Sequence, residues 1–358
     1  MPEKKSATNN VKQVLENTNK TIHGIWVLLS IVSIFLIIVY FVNNRGAEEG
    51  IQGEYADLNQ FGCTITAQEN VLIPDSTPLN TITQISTIDY DNDVYQTELT
   101  KNGIPAIVEP KYTDYLELDN CMREDDEVLV IEYEGKVRIY PGKLIASHLV
   151  VNDTIKGLPI LVTKCNLCNS YRVYVREYRN EELFFGVSGL LYKNNDLIFD
   201  HKTESLWTQF DGTAKVGTFT DASLESIPFK IMGYAKAKEL YPGAELISFD
   251  TGFRRNYEYS GFEEFAQVDD IVIPIKNFSP DLPIKEDIIG FELDGQKYAV
   301  TENRLYYSGS YEDKVAGHLV KISLVDGSIK FEVDGEEKPF VKSFWYVWYD
   351  FYPDTIVL

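Results

Sequence analysis

Hydrophobic and polar positions divide this chain into three regimes. Between Thr21 and Asn44 there is no Asp, Glu, Lys or Arg, and in the heart of that stretch, residues 25–42, Ser30 and Ser33 are the interior polar residues. A run of that length and character spans a bilayer as a helix. Residues 45–100 are different: Asn, Gln, Thr and Asp are scattered through segments such as Asp75-Ser76-Thr77-Pro78-Leu79-Asn80, and long apolar runs are few. This pattern predicts a polar stalk or irregular segment. Downstream, short β-branched and aromatic runs recur between Gly, Asn and Asp, among them Glu127-Val128-Leu129-Val130-Ile131, Leu158-Pro159-Ile160-Leu161-Val162 and Tyr171-Arg172-Val173-Tyr174-Val175. They predict a mainly β body with minor α, its helices falling around residues 234–240 and near the C-terminus.

The flanks of the apolar run set its direction. Lys4, Lys5, Lys12 and Lys20 precede it, whereas Arg45 alone follows before acidic residues begin. Positive charge stays on the cytoplasmic side, so residues 1–20 are expected in the cytoplasm and the C-terminal body outside. Phe41-Val42-Asn43-Asn44-Arg45 closes the run in place of the small residues of a cleavage site. Residues 21–44 therefore read as an uncleaved transmembrane signal anchor of a single-pass membrane protein.

The chain also resembles itself at a constant offset of 160. Glu132-Tyr133-Glu134-Gly135 falls on Glu292-Leu293-Asp294-Gly295, Asp153 on Asp313, Gly157 on Gly317, and Ile160-Leu161-Val162 on Val320-Lys321-Ile322. This predicts an internally duplicated β-rich extracytoplasmic body, with a first copy over residues 101–280 and a degenerate second copy with an aromatic C-terminal segment over residues 281–358. The same offset places His148 on Ser308, Cys165 on Val325 and Cys168 on Ser328. Candidate chemistry is thus confined to the first copy.

Charge narrows the partners. The 358 residues carry a formal net charge of −22, and the N-terminal segment is itself basic, so the body is strongly acidic. Such a field repels phosphate backbones and argues against nucleic acid as a partner. No nucleotide or organic cofactor is indicated, and no protein partner is specified.

Cys165 and Cys168, in Lys164-Cys165-Asn166-Leu167-Cys168-Asn169, form the clearest reactive cluster. Two thiolates from one turn with His148 upstream make a Cu or Zn site, with His201 as a fourth candidate ligand. A second reading is a membrane-tethered thiol-disulfide oxidoreductase, in which Lys164 lowers the Cys165 pKa. A third is a noncatalytic surface module, with a structural disulfide, that binds a protein or glycan. Cys63 and Cys121 read either as a structural disulfide or as two free thiols. Gly186-Val187-Ser188-Gly189-Leu190 lacks the last Gly of a nucleophile elbow, and Asp89-Tyr90-Asp91-Asn92-Asp93 lacks the turn Gly of a calcium loop.

Several landmarks carry a family resemblance. They are Gly103-Ile104-Pro105-Ala106-Ile107, Tyr140-Pro141, His148 with Val151-Asn152-Asp153, Cys165-x-Leu167-Cys168, and Phe185-Gly186-Val187-Ser188-Gly189-Leu190-Leu191. Asp200-x-x-Thr203-x-Ser205-Leu206-Trp207, Asp250-Thr251-Gly252, Phe344-Trp345 and Phe351-Tyr352-Pro353-Asp354-Thr355 complete the set. From about residue 103 to the C-terminus the chain resembles domain-of-unknown-function family 3179. The resemblance implies kinship without a settled activity. The family's usual aromatic-Cys-Pro-Leu-Cys-Gly is altered here, with Lys164, Asn166 and Asn169 at three positions. Asn169 remains able to take the left-handed backbone conformation that Gly supplies.

Overall fold

Val128, Leu129, Val130 and Ile131 are all buried, the mark of a central strand covered on both faces. They form β1 (Glu127–Tyr133), which turns through Glu134 and Gly135, both at positive φ, into β2 (Lys136–Pro141). Two consecutive left-handed residues make the tight hairpin turn that matches strand twist, and Gly serves its second position without a Cβ clash. The computed structural model describes residues 86–358 except 254, 259–261 and 263. The expected cytoplasmic segment and anchor, residues 1–44, lie outside the described residues, as does Cys63. Among the described residues no helix is long and apolar enough to cross a membrane.

After β2 the chain enters α1 (Gly142–His148) and then the antiparallel meander β3 (Val150–Ile155), β4 (Leu158–Cys165) and β5 (Ser170–Val175). An inserted sheet follows, made of β6 (Phe185–Tyr192), β7 (Asn195–Asp200), β8 (Leu206–Thr208) and β9 (Ala214–Val216). Strand β10 (Lys230–Gly233) then returns to pair with β1, α2 (Tyr234–Leu240) crosses over, and β11 (Glu245–Ile247) adds parallel to β2.

The second half repeats this order. It comprises β12 (Asp287–Leu293), β13 (Gln296–Thr301), α3 (Glu302–Ser308), β14 (Ser310–Val315), β15 (His318–Val325) and β16 (Ser328–Val333). Then come β17 (Val341–Phe344), α4 (Trp345–Phe351) and β18 (Ile356–Val357). Equivalent residues keep equivalent partners: Ile139 pairs with Leu246 as Ala299 pairs with Val357. No counterpart of the inserted sheet stands between β16 and β17.

Two sequence expectations shift. The constant offset fails at the last hairpin, because Cys165 pairs with Ser170 whereas Val325 pairs with Ser328. Ser328 therefore answers to Ser170, not to Cys168, and Cys168 lies in a turn two residues longer than its counterpart. The described end of the expected stalk is also docked to the body: Val94–Gln96 pairs with β6, and Ser86 bridges to Val216. Backbone pairing seats this polar segment without an apolar run.

The halves solve the same packing problem with reversed volumes. A Cβ on Gly290 of β12 would come within 2.5 Å of the Trp348 ring of α4. The equivalent positions in β1 and α2 hold Val130 and Ala237, both essentially fully buried. In the first half the strand position holds the larger residue and the helix position the smaller, and the reverse holds in the second.

Candidate functional site

Cys165 ends β4 and Cys168 sits in the following turn, and the two are joined as a disulfide with a Cα–Cα distance of 5.2 Å. Both are 0 % exposed. The Cys168 amide donates to the Cys165 sulfur, and Asn195 Nδ2, from β7, donates to the Cys168 sulfur at 3.2 Å. Asn169 has φ 51°, the left-handed conformation expected of it.

The turn is also where the two halves meet. Phe344 N–H donates to the Cys168 carbonyl, Tyr346 Oη donates to the Leu167 carbonyl at 2.7 Å, and Asn169 Nδ2 reaches Asp287 Oδ1 at 2.7 Å. Asn166, at the position where the resemblance implies Pro, donates Nδ2 to the Ala146 carbonyl near the end of α1. A proline has no such donor.

Lys164 does not serve Cys165. Neighbours on a strand face opposite sides. Lys164 Nζ instead meets Tyr171 Oη at 2.8 Å, and Tyr171 donates to Glu127 at 2.8 Å. Burial, together with Glu127, holds the Tyr171 hydroxyl far above its usual pKa.

His148 closes α1 with both ring nitrogens engaged. Nδ1 lies 2.7 Å from the Pro105 carbonyl, which can only accept, so Nδ1 carries the proton. Nε2 then accepts from Tyr257 Oη at 2.8 Å, and Tyr257 in turn meets Thr251 Oγ1 at 2.9 Å. Burial pushes His148 down to about 4; the Pro105 bond opposes this and Arg255 adds to it. Burial pushes Tyr257 up to about 12. The next residue, Leu149, has φ 61°, a conformation that the second half assigns to Gly309. Backbone strain of this kind gathers at sites held by their surroundings.

His201 lies apart, exposed on the inserted sheet with its ring 4.7 Å from that of Phe199. The expected ligand set of Cys165, Cys168, His148 and His201 is thus not assembled. The sulfurs are bonded to each other, and the lone pair of His148 is taken by Tyr257. Among the described residues no group of three or more His, Cys, Asp or Glu side chains is placed to hold a metal ion. Cys121 is disulfide-bonded. Ser188 of the elbow-like segment is buried and donates to the Leu197 carbonyl.

Beside the disulfide turn opens a cleft of about 420 Å³. Asn166, Asn169 and Lys164 line one side, and Tyr257 with Glu258 another. Its four cations are Arg123, Lys143, Lys164 and Lys285, and its four carboxylates are Asp126, Glu127, Glu258 and Asp287. Lys143 is held by Glu258 at 2.6 Å and Asp126 at 3.1 Å. Burial raises Asp287 above the usual carboxylate range, with Lys342 and the Asn169 bond opposing it. The aromatic surfaces are Tyr171, Phe262 and Phe344. Sequence reasoning missed Tyr257 and Glu127 because no motif marks them.

Landmarks far apart in sequence therefore converge: Pro105, His148 and Thr251 lie along one hydrogen-bond chain that meets the cleft at Tyr257. No curated protein and no solved structure matches the chain. The family model described as a protein of unknown function, DUF3179, matches residues 101–338, which hold the disulfide turn and every residue of the cleft lining named above except Phe344, and the chain belongs to that family.

Proposed function

We propose that this chain is an extracytoplasmic binding module, tethered through residues 21–44, whose cleft takes a neutral hydroxyl-rich ligand of the glycan class. The observation that carries this reading is the composition of the cleft wall. Four cations face four carboxylates, so the wall has no formal net charge to select an ion. Amides, a tyrosine hydroxyl and aromatic rings are what a polyol uses. The disulfide braces the wall from behind, consistent with an oxidising compartment. With both sulfurs joined and buried, the module reading gains over metal ligation and over thiol exchange.

The test is a neutral-glycan array probed with the full chain in lipid nanodiscs, followed by titration of any hit. Tyr257→Phe and Asn166→Ala each lose about fivefold in affinity, the worth of one hydrogen bond, while Cys165→Ser with Cys168→Ser keeps binding. Absence of any neutral-glycan binding refutes the reading. Stoichiometric Cu or Zn that Cys165→Ser abolishes would restore the ligand set of His148, Cys165 and Cys168 in its place.

A further inference from the structure

Arg172, on β5, is 8 % exposed, and among the described residues it forms no ion pair, although the protein is strongly acidic. Its guanidinium is held by neutral groups alone. Nε donates to Tyr174 Oη at 3.0 Å, Nη1 to the Phe340 carbonyl at 3.2 Å and Nη2 to Ser226 Oγ at 3.4 Å. A guanidinium has five N–H donors, so one on each terminal nitrogen is left over by these bonds. A buried cation without a counter-charge is costly and calls for an anion.

The cation lines a cavity of about 380 Å³, separate from the cleft described above. Two equivalent segments of the repeated fold form its apolar walls: Pro228-Phe229 leads into β10, and Pro339-Phe340 leads into β17. The site thus straddles the junction of the two halves, and Arg172 ties them by bonding Ser226 of one and Phe340 of the other. Its rim carries Glu132, already paired with Lys230 at 2.6 Å, together with Glu337 and Lys338. Lys338 is paired with Glu336 at 2.8 Å, so of the three lining cations Arg172 is the one that no carboxylate holds among the described residues. The residue equivalent to Arg172 in β16 is Lys330, which is paired with Glu332 at 2.7 Å.

We infer that this cavity binds a small organic carboxylate with an apolar or aromatic body. Its carboxylate meets the two remaining N–H groups of Arg172 and its body lies between Phe229 and Phe340. A planar carboxylate matches a guanidinium fork, and the cavity falls at the lower end of the small-molecule range.

The test titrates the full chain in nanodiscs with benzoate, its neutral isostere benzamide, and inorganic phosphate. Benzoate binds at least about tenfold tighter than benzamide or phosphate; Arg172→Gln abolishes that preference, and Phe229→Ala weakens benzoate about fivefold. Equal binding of benzoate and benzamide, or no benzoate binding at millimolar concentration, overturns the proposal. Phosphate binding as tightly as benzoate overturns the apolar body. If Arg172→Gln fails to fold by near-ultraviolet circular dichroism, the wild-type preference and Phe229→Ala still decide. Glycan binding at the first cleft is unchanged by Phe229→Ala, so the two readings fail separately.

Discussion

Tyr257 donates its hydroxyl to Nε2 of His148 across 2.8 Å, and that bond exists only while the imidazole is neutral. The folded state holds His148 down at about 4 against 6.5 for the free side chain, chiefly by burial. The unfolded chain therefore binds the extra proton first. Stability from this group is full above about pH 6.5 and is lost as pH falls from there through about 4. The linked free energy is about 3 kcal/mol. Denaturant unfolding at pH 7 and pH 4 checks it: wild type loses about 3 kcal/mol more over that interval than His148→Gln. Parallel losses in the two proteins would show that His148 does not titrate in the fold as described.

The disulfide closes a very short loop, with a sequence separation of 3. Loop entropy for such a closure amounts to about 2 kcal/mol. Cys165→Ser combined with Cys168→Ser is expected to lower unfolding stability by about that amount while leaving the fold intact. Because both sulfurs are 0 % exposed, a mild phosphine in native buffer should reduce them only as fast as the turn opens. Immediate appearance of two thiols on mixing would mean that the pair is accessible, and would favour exchange chemistry over a brace.

The strand runs at residues 127–131, 158–162 and 171–175 were legible because β-branched residues bounded by turn formers leave little alternative. The repeat was legible too, since equal hairpins keep equal glycine spacing. What sequence could not display is pairing across distance: His148 and Tyr257 are separated by 109 positions, and no local pattern links them. Lys164 misled because adjacency in sequence suggests proximity, whereas a strand sends neighbours to opposite faces. The Cys168 sulfur meets Asn195, a residue of another sheet that no local pattern links to it. Arg172 lay inside an ordinary strand pattern, and its lack of a counter-charge emerges only when every packed element is in place.

Asp153 joins four partners: Arg138 at 2.9 Å, Tyr140 at 2.6 Å, Tyr112 at 2.5 Å and the Thr154 amide. The Arg138 and Asp153 side chains are 3 % and 1 % exposed, so removing the carboxylate charge leaves the buried guanidinium with Glu245, at 2.9 Å, as its one remaining carboxylate partner among the described residues. Asp153→Asn should cost about 3 kcal/mol in a urea titration. Asp313, the equivalent residue of the second half, is exposed. Asp313→Asn should therefore stay within about 0.5 kcal/mol of wild type. Equal costs at the two positions would contradict the asymmetry of the halves.

Gly290 and Trp348 provide the sharpest test of that asymmetry, since the space for the indole exists only because the strand lacks a Cβ. Gly290→Ala forces the ring or the backbone to shift and is expected to cost about 1–3 kcal/mol, whereas overpacking alone predicts relief when the ring is shortened. Trp348→Leu leaves a void and costs about 3 kcal/mol on its own. Combined, the two changes should be less damaging than their sum by at least about 1 kcal/mol, because the new methyl enters the space the indole vacates. A double-mutant cycle in urea reads this coupling directly. Strict additivity would mean that the ring and the glycine do not share that volume, and that the reversed pairing of Val130 with Ala237 has no part in how the two halves pack.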